Sequence, residues 1–182
     1  MRFYLLTLIF VVCVQNIVAQ KFYTNEGLTR FDGSKAAFEP IKANNNKTVS
    51  ILDTGSGQIA AVILISEFDF RLGLMQEHFN ENYLESNIYP KSTFEGQIIN
   101  FNLNELNENF KEYVIEGVLM IKGVNNDIRT TAEIRKLDEK IELISGFSVM
   151  LSDYNVKIPK IVFKKIDEEV KINLNFVYDK KQ

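Results

Sequence analysis

The sequence predicts an all-β fold of antiparallel strands with one short amphipathic helix. Three observations lead to this prediction. Apolar and polar residues alternate through much of the chain with the two-residue period of strands. Turn-forming residues separate the neighbouring runs. About eight or more antiparallel strands in one chain must also protect their edges, so they either close into a barrel or pair into a sandwich.

The clearest strand covers residues 170–178 (VKINLNFVY), where every second residue is apolar and the intervening ones are mostly Lys or Asn. Rougher runs of the same kind predict further strands at residues 48–52, 59–70, 93–102, 113–122, 128–137, 140–145, 146–153 and 161–165. Turn residues at 53–57, 123–127 and 138–139 connect neighbours along the chain. The predicted order is therefore a meander.

Residues 71–87 (RLGLMQEHFNENYLESN) have helical periodicity instead. Apolar residues recur there at spacings of three and four: Leu72, Met75, Phe79 and Tyr83. Glutamates at 77, 81 and 85 form a stripe on another face. The segment predicts a short helix ending before Pro90, and a weaker helical turn is predicted at residues 103–110. If the helix covers one end of the barrel as a lid, its apolar residues face inward and its glutamates face water.

Several strands are apolar on both faces, as in residues 113–121 (YVIEGVLMI). A barrel covered by water needs only one apolar face. The helix can cover part of the outside. Alternatively, the interior is larger than its own side chains fill and has room for an apolar guest.

The first twenty residues have the pattern of a secretory signal peptide. They contain one charge, Arg2, then an apolar run over residues 3–14 and a small residue, Ala19, near the cut. That run is shorter than the about 20 residues that span a bilayer. Cys13 lies inside the run and lacks the small neighbours of a lipoprotein signal. We expect a cleaved leader (1–20), one mature domain (21–182), no stable membrane anchor, and a periplasmic or secreted location.

Composition excludes several kinds of chemistry. The single cysteine leaves with the leader, which removes disulfides, thiol nucleophiles and thiolate metal ligands. The single histidine, His78, cannot build a zinc site alone. Losing Arg2 with the leader changes the net charge from −3 to −4, and the lysines are scattered, so no nucleic-acid footprint is evident. We expect no metal, no cofactor and no nucleic-acid partner.

Several segments, in order, resemble the YceI-like family in the form found in Bacteroidetes. They are residues 75–86 (MQEHFNENYLES), 89–96 (YPKSTFEG), 117–124 (GVLMIKGV), 153–159 (DYNVKIP) and the closing strand 170–178. The resemblance covers roughly residues 25–178. It implies an extended lipocalin-like antiparallel barrel, exported, whose lumen holds a long apolar chain such as a polyisoprenoid, an isoprenoid quinone or a fatty-acid derivative. The better-described branch of the family has an arginine-aspartate pair where Met75 and Gln76 stand here.

The candidate lumen residues are aromatic side chains, methionines and the histidine. They are Phe68, Phe70, Met75, His78, Phe79, Tyr83, Phe94, Met120, Met150, Tyr154 and Phe176. Flexible methionines adapt to a long acyl or prenyl chain, but a barrel core uses the same residue types. His78 is either a packing residue or a donor to a ligand headgroup at the mouth.

Four lysines lie close together around a proline bend: Lys157, Lys160, Lys164 and Lys165. They either meet a phosphate or carboxylate headgroup near the barrel mouth or protect a strand edge from pairing. The sequence does not choose between these interpretations.

The leading prediction is a non-enzymatic carrier for a long apolar ligand, with a homodimer left open. A second hypothesis is a secreted hydrolase acting through Asp53 or His78. Asp53 begins the Asp-Thr-Gly triplet that aspartic proteases use in two copies, and a pocket joining either residue to a second titratable group would favour this hypothesis. A third is an envelope stress or interaction module with no ligand, which would show a closed barrel and an exposed apolar patch of several hundred Å².

Overall fold

The computed structural model describes residues 20–35, 39–159 and 166–181. Nine strands account for most of them: β1 (Lys21–Ser34), β2 (Lys42–Asp53), β3 (Gln58–Leu64), β4 (Asp69–Phe70), β5 (Lys91–Ile98), β6 (Lys111–Ile121), β7 (Val124–Leu137), β8 (Lys140–Met150) and β9 (Ile166–Lys180). The predicted leader falls on residues 1–20, of which only Gln20 is described, and the predicted strand at 161–165 lies outside the described residues.

Eight of these strands form one closed antiparallel barrel. The order around the ring is β1-β9-β8-β7-β6-β5-β3-β2, and β2 pairs back onto β1. The short strand β4 adds to the beginning of β2, where Ala43 lies opposite Phe70. Closure leaves no free edge along the ring, which resolves the edge problem raised by so many strands. The predicted fold class is confirmed, with a barrel and not a sandwich.

The predicted helix is present and shorter than its periodic segment. Helix α1 (Gly73–His78) continues as a π-helix (Phe79–Tyr83), giving eleven helical residues that we call the capping helix, residues 73–83. Leu72 at its N-terminus offers no side-chain cap. Isolated helices of this length are marginal in water, so this one depends on packing against the barrel. The weaker predicted turn is a 3₁₀ turn at Leu103–Glu105.

Three strand predictions joined or divided elements wrongly. The run predicted at 59–70 is interrupted by a 3₁₀ turn, Ile65–Glu67, between β3 and β4. The runs predicted at 140–145 and 146–153 are one strand, β8, followed by a 3₁₀ turn, because Gly146 continues the ladder opposite Asn173. Strand β1 was missed entirely.

The two halves of the barrel are filled differently. At one end, which we call the packed end, large side chains fill the interior: Phe22, Leu52, Ile98, Ile134, Ile141 and Tyr178. The described ends of the chain, at Gln20 and Lys181, lie there together with the turns at 54–57 and 138–139. The other end, which we call the cavity end, carries the capping helix, the turn at 122–123 and the 3₁₀ turn Leu151–Tyr154.

Two buried hydroxyl groups in the packed half, those of Ser50 and Tyr178, are paired with each other. The Ser50 hydroxyl donates a hydrogen bond to the Ala60 carbonyl oxygen at 2.8 Å and accepts one from the Tyr178 hydroxyl at 2.9 Å. Burial raises the pKa of Tyr178 well above its ordinary value, so the phenol stays protonated. Hydrogen bonding of this kind makes a polar side chain compatible with a dry core.

Candidate functional site

An internal cavity of about 470 Å³ occupies the cavity end of the barrel. Inward side chains of every barrel strand except β2 line it, and the capping helix covers it. The lining is almost entirely aliphatic and aromatic. This volume lies within the range of roughly 300–1,000 Å³ found for small-molecule sites.

Strand alternation selects the wall residues. On β8, every second residue lines the cavity: Leu143, Ser145, Phe147 and Val149. Strand β9 contributes Val170, Ile172, Leu174 and Phe176 in the same way. The two strands pair directly, with Phe147 opposite Ile172 and Ser145 opposite Leu174. The apolar period of β9 in the sequence is therefore the period of the cavity wall.

The Phe94 ring forms the floor of the cavity and fits into a niche beside two glycines. Gly96 and Gly117 lie opposite each other on β5 and β6. A Cβ atom placed on Gly96 would lie 2.5 Å from Phe94 Cζ, and one placed on Gly117 would lie 2.8 Å from it. The Phe94 ring therefore occupies the space that two side chains would otherwise fill, and it packs against the core clusters of both halves of the barrel.

Hydroxyl groups of the deep wall are already paired. The Thr29 and Thr48 hydroxyls share a hydrogen bond of 2.8 Å. The Ser145 hydroxyl donates to the Thr131 carbonyl oxygen at 2.7 Å. Because these groups have partners within the protein, the deep part of the cavity favours an apolar occupant.

Four phenylalanine rings join the capping helix to the barrel. Phe79 stacks on Phe31 of β1, with ring centroids 5.3 Å apart and planes 19° apart. It also contacts Phe68 at 5.5 Å and Phe70 at 5.0 Å in tilted or edge-on geometry. Such pairs contribute about 0.5–1.5 kcal/mol each beyond the area they bury. This cluster holds the helix over the cavity.

The titratable side chains of the lining lie at the mouth. Glu39 and His78 are exposed there, and Glu39 forms an ion pair with Arg71. Burial raises the pKa of the Tyr83 hydroxyl, and burial is also the main cause of the raised pKa of Tyr154. Both phenols therefore stay protonated near neutral pH and can donate hydrogen bonds to an acceptor on a ligand.

The helix faces the way its sequence period predicts. Leu72, Met75, Phe79 and Tyr83 all line the cavity. Glu77 and Glu81 are exposed, whereas Glu85 is half-buried and its carboxylate accepts a bond of 2.9 Å from Lys122. Lys122 belongs to the turn after β6, so its pairing with Glu85 was not visible from the helix alone.

Nine of the eleven candidate lumen residues line the cavity: Phe68, Phe70, Met75, His78, Phe79, Tyr83, Phe94, Tyr154 and Phe176. Met120 and Met150 do not, which corrects their placement in the lumen. Their strand neighbours Leu119 and Val149 face the cavity instead, and alternation turns both methionines outward. Where both faces of a strand are apolar, composition alone does not say which face is inside.

Several wall residues were not among the candidates. Phe31, Ile63, Phe147 and Ile172 line the cavity together with smaller aliphatic side chains. The alternation that relates Ile172 to Phe176 on β9 was an available signal for one of them. Phe31 lies on the missed strand β1 and gave no such signal.

The two residues of the hydrolase hypothesis lie at opposite ends of the barrel, Asp53 at the packed end and His78 on the capping helix. The Asp53 carboxylate accepts hydrogen bonds from the backbone N–H groups of Gly55 and Ser56 at 3.0 and 3.1 Å, which is the role of a turn-forming aspartate. It lies at the packed end, away from the cavity. The His78 imidazole makes no hydrogen bond or ion pair with any described residue. Neither residue meets a second titratable group in the described parts of the chain.

Within residues 20–35, 39–159 and 166–181, no group of three His, Cys, Asp or Glu side chains is placed to hold a metal ion. No helix in the same parts of the chain is long and apolar enough to span a bilayer.

A closed antiparallel barrel with an apolar internal cavity defines a class of small-molecule-binding barrels. A sequence profile described as a YceI-like domain matches residues 19–178. The chain belongs to the YceI-like family, as the resemblance of its segments predicted. No curated protein sequence matches it at a significant level.

Solved structures share the fold at low sequence identity. A polyisoprenoid binding domain from Saccharophagus degradans, implicated in plant cell wall breakdown, is 14% identical with a TM-score of 0.74, covering 90% of this chain and 99% of that one. Burkholderia cenocepacia BcnA is 18% identical with a TM-score of 0.68, covering 82% and 95%. The Campylobacter jejuni YceI protein is 18% identical with a TM-score of 0.59, covering 81% and 89%.

Proposed function

We propose that this protein is a non-enzymatic carrier that holds a long apolar molecule in the barrel cavity. The observation that carries the proposal is the hollow cavity end, about 470 Å³ lined by apolar side chains. Protein interiors are normally packed to the density of organic crystals, with few voids larger than a water molecule. A cavity of this size therefore suits an occupant from outside the chain.

The lining supports an occupant with an apolar chain and a small polar end. Deep wall hydroxyls such as Thr29 and Ser145 have partners within the protein, whereas His78 and Tyr83 of the capping helix line the mouth of the cavity. Burying about ten methylene groups would contribute roughly 8 kcal/mol before the cost of immobilising the chain. A polyisoprenoid, an isoprenoid quinone and a fatty-acid derivative all have this form, and the Saccharophagus degradans neighbour is described as a polyisoprenoid binding domain.

A binding role also fits the positions of the titratable groups. General acid–base catalysis needs a positioned partner within hydrogen-bonding reach of the reacting group. Asp53 shapes a turn at the packed end, and no described residue bonds to the His78 imidazole. These placements favour a carrier over the hydrolase hypothesis.

The direct test is to identify what the purified protein contains. Protein prepared without detergent should yield a long-chain lipid on solvent extraction and mass spectrometry, at close to one molecule per chain. Protein that yields no lipid, and that also fails to take up added isoprenoid quinone or fatty acid, would refute the proposal.

Two adjacent alanines provide a matched pair of variants. Ala61 lines the cavity, and Ala60 is on the outer face of the same strand. Ala61→Phe places a ring in the cavity and should reduce the lipid content several-fold, while Ala60→Phe should leave it unchanged. Thermal melting of both proteins controls for misfolding. Equal lipid content in the two variants would mean that the lipid is not in the barrel.

We also propose that the carrier is exported. The signal-like pattern of residues 1–20 supports this. Intact-mass measurement on protein from a native host should show a chain lacking about twenty N-terminal residues, recovered from the periplasm or medium. A full-length chain in the cytosolic fraction would contradict export without affecting the carrier proposal.

A further inference from the structure

Exposed apolar side chains gather at the cavity end of the barrel. We call five of them the apolar rim: Leu64, Leu72, Leu74, Ile88 and Met150. Ile88 is 68% exposed and Leu74 63% exposed, the two highest values among the large hydrophobic side chains of the described residues. Single exposed apolar residues are ordinary, but a group at one end of a molecule marks an interaction surface.

The positions of these residues follow from the topology. Leu64 ends β3 and Met150 ends β8, both at the cavity end. Leu72 and Leu74 begin the capping helix, and Ile88 lies between that helix and β5. Each of the five therefore lies on the same end of the barrel as the mouth of the cavity.

The rim is continuous with the cavity wall. Leu72 and Leu74 line the cavity and are also 38% and 63% exposed. An apolar surface thus runs from the interior, past the start of the capping helix, to the outside. At the packed end, by contrast, the exposed ring of Phe110 is covered on one face by the Arg135 guanidinium, 4.2 Å from its centroid.

We propose that the apolar rim docks reversibly on the surface of a lipid bilayer, so that a long apolar chain moves between bilayer and cavity without crossing water. This inference rests on the proposed function, because a ligand of that kind is held in membranes and is almost insoluble in water. Continuity of the rim with the cavity favours a bilayer over a protein partner.

Charges of both signs lie beside the rim. The capping helix presents Glu77 and Glu81 to solvent. Lys91 of β5, which lies opposite Leu64, and Lys157, next to the cavity-lining Val156, are exposed at the same end. Docking therefore depends on apolar contact, and vesicles of phosphatidylcholine, which has no net charge, are the suitable test surface.

The test is flotation of the whole protein with phosphatidylcholine vesicles. The double variant Leu64→Glu/Ile88→Glu changes two rim residues that do not line the cavity, and it should lower the bound fraction by at least tenfold. The matched control is Val49→Glu/Val177→Glu, which changes two residues on the outer face of the barrel that are 49% and 43% exposed. The control should bind as the original chain does, and melting and extracted lipid should be the same in all three proteins.

The outcomes separate this inference from the proposed function. Flotation lost in the rim variant alone, with its lipid content unchanged, supports docking through the rim. Equal flotation of both variants overturns it, and so does a lipid-filled protein that does not float. Native mass spectrometry that shows a dimer broken only by the rim variant would assign the rim to a second copy instead. An empty barrel would refute the carrier proposal, whatever the flotation result.

Discussion

Replacing Phe79 with alanine should loosen the capping helix and release the ligand together. The Phe79 ring contacts Phe31, Phe68 and Phe70, with centroids 5.0–5.5 Å away, and it also lines the cavity. The helix has only eleven residues and no side-chain cap at Leu72. Its position over the barrel therefore depends on this ring more than on helix propensity.

The size of the effect follows from the partial burial of the ring. A fully buried phenylalanine truncated to alanine costs about 3–5 kcal/mol. Phe79 is half-buried, with one side facing the cavity, and its truncation removes three ring contacts of about 0.5–1.5 kcal/mol each. We expect a loss of about 2–3 kcal/mol in the free energy of unfolding, or roughly 5–10 °C in Tm for a domain of this size.

Three measurements test this reasoning on the same protein. Thermal melting measures the loss of overall stability. Hydrogen exchange measures how fast the backbone amides of residues 73–83 open, and solvent extraction measures the lipid that the protein retains. Leu74→Ala on the same helix is the control, since that side chain is 63% exposed and should change stability by less than about 0.5 kcal/mol. If Phe79→Ala leaves helix exchange and retained lipid unchanged, the helix is not a lid.

Two further substitutions address the packed half and the floor. Burial raises the pKa of Tyr178 above its ordinary value of 10.0, so as pH rises the unfolded chain loses this proton before the folded chain does. Below pH 10.0 both states keep the proton, and the titration of Tyr178 does not lower the free energy of unfolding. Above that pH, the free energy of unfolding should fall by about 1.4 kcal/mol per pH unit. Urea unfolding at several alkaline pH values should show this slope in the original chain and not in Tyr178→Phe. At neutral pH the same substitution should cost about 1 kcal/mol, because the hydrogen bond to Ser50 is lost. Phe94→Ala empties the niche beside Gly96 and Gly117 and deepens the cavity. It should cost about 2–4 kcal/mol, and extraction should recover longer chains than from the unaltered protein; an unchanged chain-length profile would show that Phe94 does not set the depth.

Residues that alternate cleanly made part of the fold predictable. In β9, apolar positions from Val170 to Tyr178 keep one phase, so both the strand and its inward face followed from the sequence. Strand β1 was missed because its buried inward residues include Thr24, Gly27 and Thr29, which are polar or small. Its register also shifts between Thr24 and Gly27, and such a bulge breaks the two-residue period.

Part of the candidate site was predictable, because the helical spacing of apolar residues indicated which side of the capping helix faces the barrel. Phe79 and Tyr83 were placed correctly because a helix separates its apolar and charged sides. Met120 was misplaced because β6 is apolar on both sides, and only the observed register identifies the inner one. Met150 was misplaced although the alternation of Phe147 and Val149 on β8 turns it outward. The niche that holds Phe94 depends on two glycines opposite each other on paired strands, an arrangement that sequence spacing does not reveal.

Both described ends of the chain are fastened to each other at the packed end. The backbone N–H of Lys181 donates to the Lys21 carbonyl oxygen at 2.8 Å, and the Thr54 hydroxyl donates to the Gln20 carbonyl oxygen at 2.8 Å. A tether joined to either end emerges on the far side of the barrel from the mouth. An immobilised or fused form of the domain would therefore present its mouth outward, and a short peptide joining the two ends would give a circular chain with the cavity undisturbed.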